Sequence, residues 1–273
     1  MRPSSSQGKR SGLGILKWTV FWRLALLAGL LGSWELVSGR VIDVFWFSKP
    51  SLILAYLYNW IFAGDFLRHL EITMIEIGVG YVVGSVCGLL LGLPLGRAEA
   101  LARVLDPFLL ALNGIPRVAL APLFVIWFGI GILPKIVLVF TLVFFVVFYN
   151  AYAGVRSVQR KHIDLAWVMG ANKYQLFSKV IFPEALPYVM LGLKLSIPYA
   201  VIGAIIGEFI AASEGLGYKI QVETSLYNTT GTMAGIIMLM LLVVVLNAVL
   251  NKIEARSLAW RPQQRDSGGG QGL

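Results

Sequence analysis

One cysteine, Cys87, is present in 273 residues, and it lies within an apolar run. An intrachain disulfide and a thiolate metal cluster are therefore excluded. Histidine is almost as scarce, with only His69 and His162, and neither H-E-x-x-H nor G-x-S-x-G occurs. Zinc or serine hydrolysis thus has no catalytic set, and no metal site is expected. The phosphate loop G-x-x-x-x-G-K-[ST] is also missing, so this sequence carries no such site for nucleotide hydrolysis. Charge is the most telling shortage. Asp, Glu, Lys and Arg form 14% of the chain against 58% apolar residues, at a mean hydropathy of +0.77. One soluble domain cannot bury that much apolar surface, so lipid is the expected partner.

Runs able to cross about 30 Å of hydrocarbon occupy residues 18–37, 72–96, 107–128, 132–153, 188–212 and 233–250. The expected fold is all-α integral membrane, with six transmembrane helices. Pro107, Pro116 and Pro122 interrupt the third run, which also holds Asn113 and Arg117. Proline removes a backbone donor and clashes with the preceding turn, so this span should be kinked or broken. The first run follows four basic residues as a signal sequence would. It is longer than the usual 7–15 apolar residues, roughly speaking, and no small-x-small cleavage site follows, so it reads as a retained anchor.

The net charge of +9 is spread along the flanks of the apolar runs, which argues against a nucleic-acid surface. With the N-terminus cytoplasmic, fifteen basic residues fall on the inner side (among them Arg97, Arg103, Arg156, Arg160, Lys161, Lys173 and Lys179) and five on the outer (Arg40, Lys49, Arg68, Lys135 and Lys219). Both termini are then cytoplasmic. The divisions expected are a cytoplasmic tail at 1–17, the first helix with an extracytoplasmic segment at 18–66, a core at 67–255 and a second tail at 256–273. Residues 51–63 follow Pro50 and carry Leu52, Tyr56, Trp60 and Ile61, as an interfacial helix would. Residues 1–11 and 263–273 have a disordered composition. In the second span Gly80, Gly84, Gly88, Gly92 and Gly96 recur every fourth residue, a groove that lets a second helix approach closely.

Residues 155–187 separate the fourth and fifth spans and are too polar for membrane. A short helix at 163–169, begun near Asp164 and ended by Gly170 in a left-handed cap, should be followed by a second at 173–181 that stops before Pro183. This stretch resembles the EAA loop of permeases in binding-protein-dependent ABC importers. Asp164, Leu165 and Ala166 stand in the motif, Gly170 lies four residues past Ala166 and Pro183 thirteen past the glycine, as in the family, with Asp in place of Glu and Leu165 in place of the first Ala. Further stretches look like the branch importing nitrate, sulfonates, taurine and related solutes: Ile115-Pro116, Ala121-Pro122-Leu123, Trp127-Phe128-Gly129, Asn150-Ala151-Tyr152, Ala185-Leu186-Pro187 and Gly215-Leu216-Gly217-Tyr218. The resemblance implies a type I ABC importer permease in the bacterial inner membrane, with a cytoplasmic coupling helix. Asp164, Leu165, Ala166, Gly170 and Pro183 would dock the ATPase. Two permease chains, two ATPase subunits holding ATP and Mg, and an extracytoplasmic solute-binding protein would form the assembly.

Ionisable groups at depth cost about 2.5–3.5 kcal/mol on insertion scales. Glu35 and Glu76 fall near the ends of their spans, where the cost is lower, and Lys194 can snorkel. Arg117 either attracts an anionic solute or pairs with Asp106 or another carboxylate, and Glu208 either faces a cavity or neutralises a cation. With Asn113, Pro116 and Asn150 these two make up the candidate translocation path. Interhelical hydrogen bonds also account for Asn113, Asn150 and Asn247. An ion-coupled secondary transporter is the alternative; it would show internal repeats and mid-bilayer carboxylates, and neither is evident.

Overall fold

The computed structural model describes residues 9–258. The composition-based reading of residues 1–8 and 263–273, and the loop charges Arg2, Arg261 and Arg265, lie outside that range. Eleven α-helices account for most of the described chain: α1 Lys9–Val37, α2 Pro50–Ala63, α3 Phe66–Arg97, α4 Glu99–Gly114, α5 Ala121–Phe128, α6 Leu133–Arg156, α7 Arg160–Val168, α8 Lys173–Leu176, α9 Phe182–Ala211, α10 Leu216–Ser225 and α11 Thr229–Ser257. The first helix therefore starts inside the segment whose composition suggested disorder. Five helical stretches have the length and hydropathy of membrane spans, and the bent pair 100–114 and 117–128 makes a sixth if counted as one crossing.

The chain divides into two compact units. One comprises the described residues up to Asp65 together with Ile220–Ile236. Here α2 begins on Pro50, whose missing donor costs nothing at a first helical turn, and the Glu35 carboxylate accepts from the Ser51 N–H and hydroxyl at 3.0 and 2.7 Å. Trp34 donates to the Ser48 carbonyl at 2.8 Å. Tyr56 donates to Glu223 at 2.7 Å, and Asn228 donates to the other oxygen of the same carboxylate at 2.6 Å. Burial and the Glu223 charge raise the Tyr56 pKa well above its usual value, so the phenol remains the donor.

The second unit, Phe66–Lys219 with Ile237 onward, is organised around α3, α6 and α9. A Cβ on Gly80, Gly84, Gly88, Gly92 or Gly96 would meet, in order, the carbonyl oxygens of Ile136, Phe140, Phe144, Phe148 and Tyr152 at 2.7–3.0 Å. Both series step by four residues in the same direction, so α3 and α6 run parallel in backbone contact. Gly154, Gly192, Gly203 and Gly207 set the contact with α9 in reverse order, against Ala185 and Tyr188, Asn150, Val139, and Lys135; α9 is antiparallel to α6.

The parallel pairing settles the crossing number between α3 and α6. Two neighbouring spans that run the same way need an odd number of crossings between them, so the bent pair α4 and α5 counts as one span and the total is six. Its bend is 73°. Only Pro116 breaks it: Ile115 is extended at ψ 126° and Pro116 leaves the helical region at ψ 87°, whereas Pro107 stays inside α4 and Pro122 sits in the first turn of α5. A 3-10 turn, Arg117–Leu120, joins the halves.

After α7 the chain does not form a separate helix that stops before Pro183. It passes from α8 through a π turn, Phe177–Ile181, directly into α9. A π turn shifts the hydrogen-bond ladder by one residue, and Pro183 then falls in the first turn of the following helix, where no donor is required.

Candidate functional site

Three polar constructions stand out in the second unit. The first lies where the N-terminal ends of α3 and α6 meet the C-terminal end of α9. Glu76 and Glu208 are 0% exposed and Lys135 is 6% exposed. Lys135 donates to Glu76 at 2.7 Å. Thr73 donates to Glu208 at 2.6 Å and accepts from the Leu216 N–H at 2.8 Å. The Gly217 N–H reaches Glu208 at 2.5 Å, and the Gly215 N–H reaches His69 Nδ1 at 3.0 Å. Three successive N–H groups at the start of α10, which would otherwise lack partners, are thus held by three side chains. Gly215 has φ +122°, and a Cβ on it or on Gly217 would strike the Glu208 carboxylate. Glu76 is therefore no interfacial group at a cheap depth, and Lys135 no exposed loop cation. Both are sealed inside protein, a pairing that 59 residues of separation hide from any local pattern.

The second construction is the break at Pro116. Arg117 donates to the Asn113 side-chain and backbone oxygens at 2.7 and 3.3 Å, and its guanidinium lies 4.2 Å above the centre of the Phe145 ring. Its Nε is buried with no hydrogen-bond partner. Asp106 does not neutralise it, since that carboxylate accepts from Tyr152 at 3.0 Å, and no other carboxylate pairs with Arg117 among the described residues. Phe145 is the midpoint of α6, so Arg117 sits at mid-span, about 15 Å along that helix from Lys135. Arg117 and Asn113 come together as a unit with Pro116; Glu208 belongs to the other construction. Asn150 packs on Gly192 and donates to its own helix, to the Val146 carbonyl at 2.8 Å. Asn247 does the same with Val243 at 3.0 Å. The expectation of interhelical hydrogen bonds from these asparagines is therefore corrected: each is satisfied four residues back. Lys194 pairs with Glu254 on α11 rather than snorkelling alone.

The third is the loop at the opposite end of α3, α6 and α9. Gly170, at φ +79°, closes α7: its N–H bonds the Trp167 carbonyl at 2.9 Å and the Ala171 N–H bonds that of Ala166 at 3.0 Å, the paired bonds of a Schellman cap. Asn172 and Gln175 then form a reciprocal capping box at 2.8 and 3.0 Å. Asp164 occupies the fifth position of α7 instead of its first turn, so the dipole argument for it fails. Ala166 points inward, 8% exposed, into a cluster with Val155, Leu176, Ile181 and Ala185. The outward face consists of Asp164, Leu165, Trp167, Val168 and Met169, with Val168 85% and Met169 79% exposed. Helical phase alone could have found Val168, which lies two residues and about 160° from the buried Ala166; Met169 lies past the last turn of α7, where phase gives no guide. Beside this face a hollow of about 370 Å³ is lined by His162, Leu165, Met169, Lys179, Pro183 and Glu184. The His162 ring and the Glu184 carboxylate are hydrogen-bonded across it.

Six apolar spans, a glycine-spaced helix pair and a rigidly capped polar loop define a multi-pass membrane transport subunit. The chain belongs to the family described as binding-protein-dependent transport system inner membrane component, whose model matches residues 80–257. The formylaminopyrimidine transport permease protein ThiX of Halalkalibacterium halodurans is 39% identical over 235 residues, covering 86% of this chain and 94% of that protein. The aliphatic sulfonates permease SsuC of Bacillus subtilis, a putative assignment in its own name, is 31% identical over 239 residues, 87% of each. The taurine transport system permease protein TauC of Escherichia coli is 28% identical, covering 89% of this chain and 92% of that one. Among solved structures, the inward-facing MetNI methionine ABC transporter superposes at a TM-score of 0.57 with 21% identity, over 76% of this chain and 96% of that chain. The fold is that of a type I ABC importer permease. The family's permeases work with an ATPase on a separate subunit and with a substrate-binding protein.

Proposed function

We propose that this permease carries a small anionic solute such as nitrate, a sulfonate, taurine or bicarbonate, alternating between inward- and outward-open states driven by the separate ATPase. The observation that carries the solute class is Arg117: a mid-span guanidinium with a broken helix beside it and no carboxylate among the described residues to balance it. A charge at that depth is costly unless it serves a path or meets a counter-ion, and a guanidinium offers an anion paired, charge-assisted donors. The sulfonate and taurine relatives support this reading. A planar neutral solute is the second reading, favoured by the formylaminopyrimidine relative. Uptake by vesicles containing the permease, its ATPase and its binding protein, offered taurine, an alkanesulfonate, nitrate or an aminopyrimidine, separates the two; uptake of the aminopyrimidine alone overturns the anion.

The ATPase docks on the outward face of α7. That face presents exposed Leu165, Val168 and Met169 close together, and an apolar patch on a soluble surface is the mark of a protein partner. The basic bias of this end, with Arg97, Arg156, Arg160, Lys161, Lys173 and Lys179, supports a cytoplasmic position, both termini cytoplasmic, and an extracytoplasmic position for the Glu208 end. A second permease chain completes the path. Single cysteines at Leu165 and Val168, with Cys87 replaced, should crosslink to the ATPase in an active complex, and a cysteine at the inward-facing Ala166 should not. Reversal of that pattern refutes the docking face.

A further inference from the structure

At the ends of α3 and α6 the glycine register has an electrostatic consequence. Gly96 rests on Val155 and on the Tyr152 carbonyl, and the residues that follow on the two helices are Arg97 and Arg156. Two like charges are therefore set side by side by backbone packing, and α7 starts a few residues later with Arg160. These three arginines line one cavity of about 530 Å³, with Asp164 the one carboxylate among the described residues that line it, together with Trp167 and an apolar wall that includes Val155 and Ile181. Arg156 donates to the Tyr152 hydroxyl at 2.5 Å. Arg97 and Arg160 have no ion pair and no side-chain hydrogen bond among the described residues. Like charges brought together repel, and the arrangement is relieved by an anion with several acceptor oxygens, for which guanidinium forks are suited.

We propose that this cavity is a binding site for the phosphodiester headgroup of an anionic phospholipid. Each lining element leads from or into a spanning helix, so the cavity opens at the level of the headgroups, and a basic pocket at that level facing an anionic leaflet attracts such lipids. Trp167 has the amphipathic ring that favours the same depth. The phosphate group supplies the oxygens, and the apolar wall accepts the glycerol and the first methylenes. A bound lipid would sit between the last turn of α6 and α7 and brace the base of the loop, sharing Asp164 and Trp167 with the face that α7 turns outward.

The headgroup assignment rests on the cytoplasmic orientation proposed above only for the choice of leaflet. The detergent-purified complex of permease and ATPase, titrated with phosphatidylglycerol and read by native mass spectrometry, should retain one more lipid per permease chain than the R97Q/R160Q variant. The loss of two arginines is expected to weaken binding about 30-fold. Phosphatidylcholine should not be retained, inorganic phosphate should not displace the lipid, and R97K/R160K should fall between wild type and the glutamine variant. The charge-matched K173Q/K179Q variant, altered on the same side but with neither residue among those lining the cavity, should behave as wild type. Equal retention by wild type and R97Q/R160Q overturns the site. So does an equal loss in K173Q/K179Q, which would mean diffuse attraction, and so does binding of inorganic phosphate in place of lipid or an acidic ATPase side chain crosslinked into the cavity. Labelling of a cysteine at Lys161 in sealed and inverted vesicles tests the orientation separately, so a wrong sidedness and a missing lipid site give different results.

Discussion

Lys135→Met should be among the most damaging single substitutions in the core, and Glu76→Gln should rescue it. In the native arrangement the Lys135 ammonium is the donor to Glu76 Oε1 at 2.7 Å, with the carboxylate 0% and the lysine 6% exposed. Removing the lysine leaves a sealed carboxylate whose other oxygen, Oε2, already has no donor. Breaking one side of a buried pair costs about 3–5 kcal/mol, whereas replacing both charges is often neutral. The double variant is uncharged at both positions and keeps nearly the native volume. The coupling energy across the four proteins should therefore be roughly 2–4 kcal/mol in favour of the pair. Unfolding in mixed micelles, followed by a spectroscopic signal and checked for reversibility, measures it. The reasoning is refuted if Lys135→Met costs less than about 1 kcal/mol, or if the two substitutions simply add. Either result would mean that water reaches the pair, and that burial does not govern this end of the helices.

Arg117→Gln should leave the chain inserted and the complex assembled while lowering uptake of the anionic solute, about tenfold or more if one charge-assisted contact is lost; unchanged uptake and solute preference in the vesicle assay would remove Arg117 from the path. Gly170→Val should uncouple ATP hydrolysis from uptake, because a β-branched residue at φ +79° strains the cap by about 1–2 kcal/mol. No neighbour lies within 4 Å of that position, so membrane insertion should be unaffected. Side-by-side ATPase and uptake rates on the reconstituted complex check this, and a normal ratio of the two would count against it.

What the sequence revealed followed from local rules. Glycines four residues apart mean a groove whatever lies opposite; they announce the α3 face, while the partner α6 and its parallel direction are set by packing that no local spacing records. Proline at 116 broke its span, while Pro107 is absorbed inside α4 and Pro122 falls in the first turn of α5, where no donor is required. Gly170 was readable because a positive φ after a short helix leaves little choice of residue. Ala166 was misplaced for the opposite reason: a motif says which residue types recur and not which of them face inward, and here the alanine is small because Ala185 and Ile181 press on it. The Glu76, Lys135 and Glu208 cluster was illegible as a unit, because each residue resembles an end-of-span charge and only the packing of three helices makes them neighbours. The continuity from α8 into α9 was missed because proline is commonly read as a stop, and the register shift that admits Pro183 leaves no mark in composition.

That continuity has a mechanical meaning. From Lys173 to Ala211 the helical backbone runs 39 residues, a rod of about 58 Å at 1.5 Å per residue. A rod stores little of the work applied to it. Tilting it by about 5° about one end carries the other by about 5 Å, geometry that follows from the length alone. Its compliant joints are the widened turn at Phe177–Ile181 and the proline sites at 187 and 198, where bending is cheapest. Force delivered beside α7 would therefore reach the turn tied to Glu208 without a loop to dissipate it.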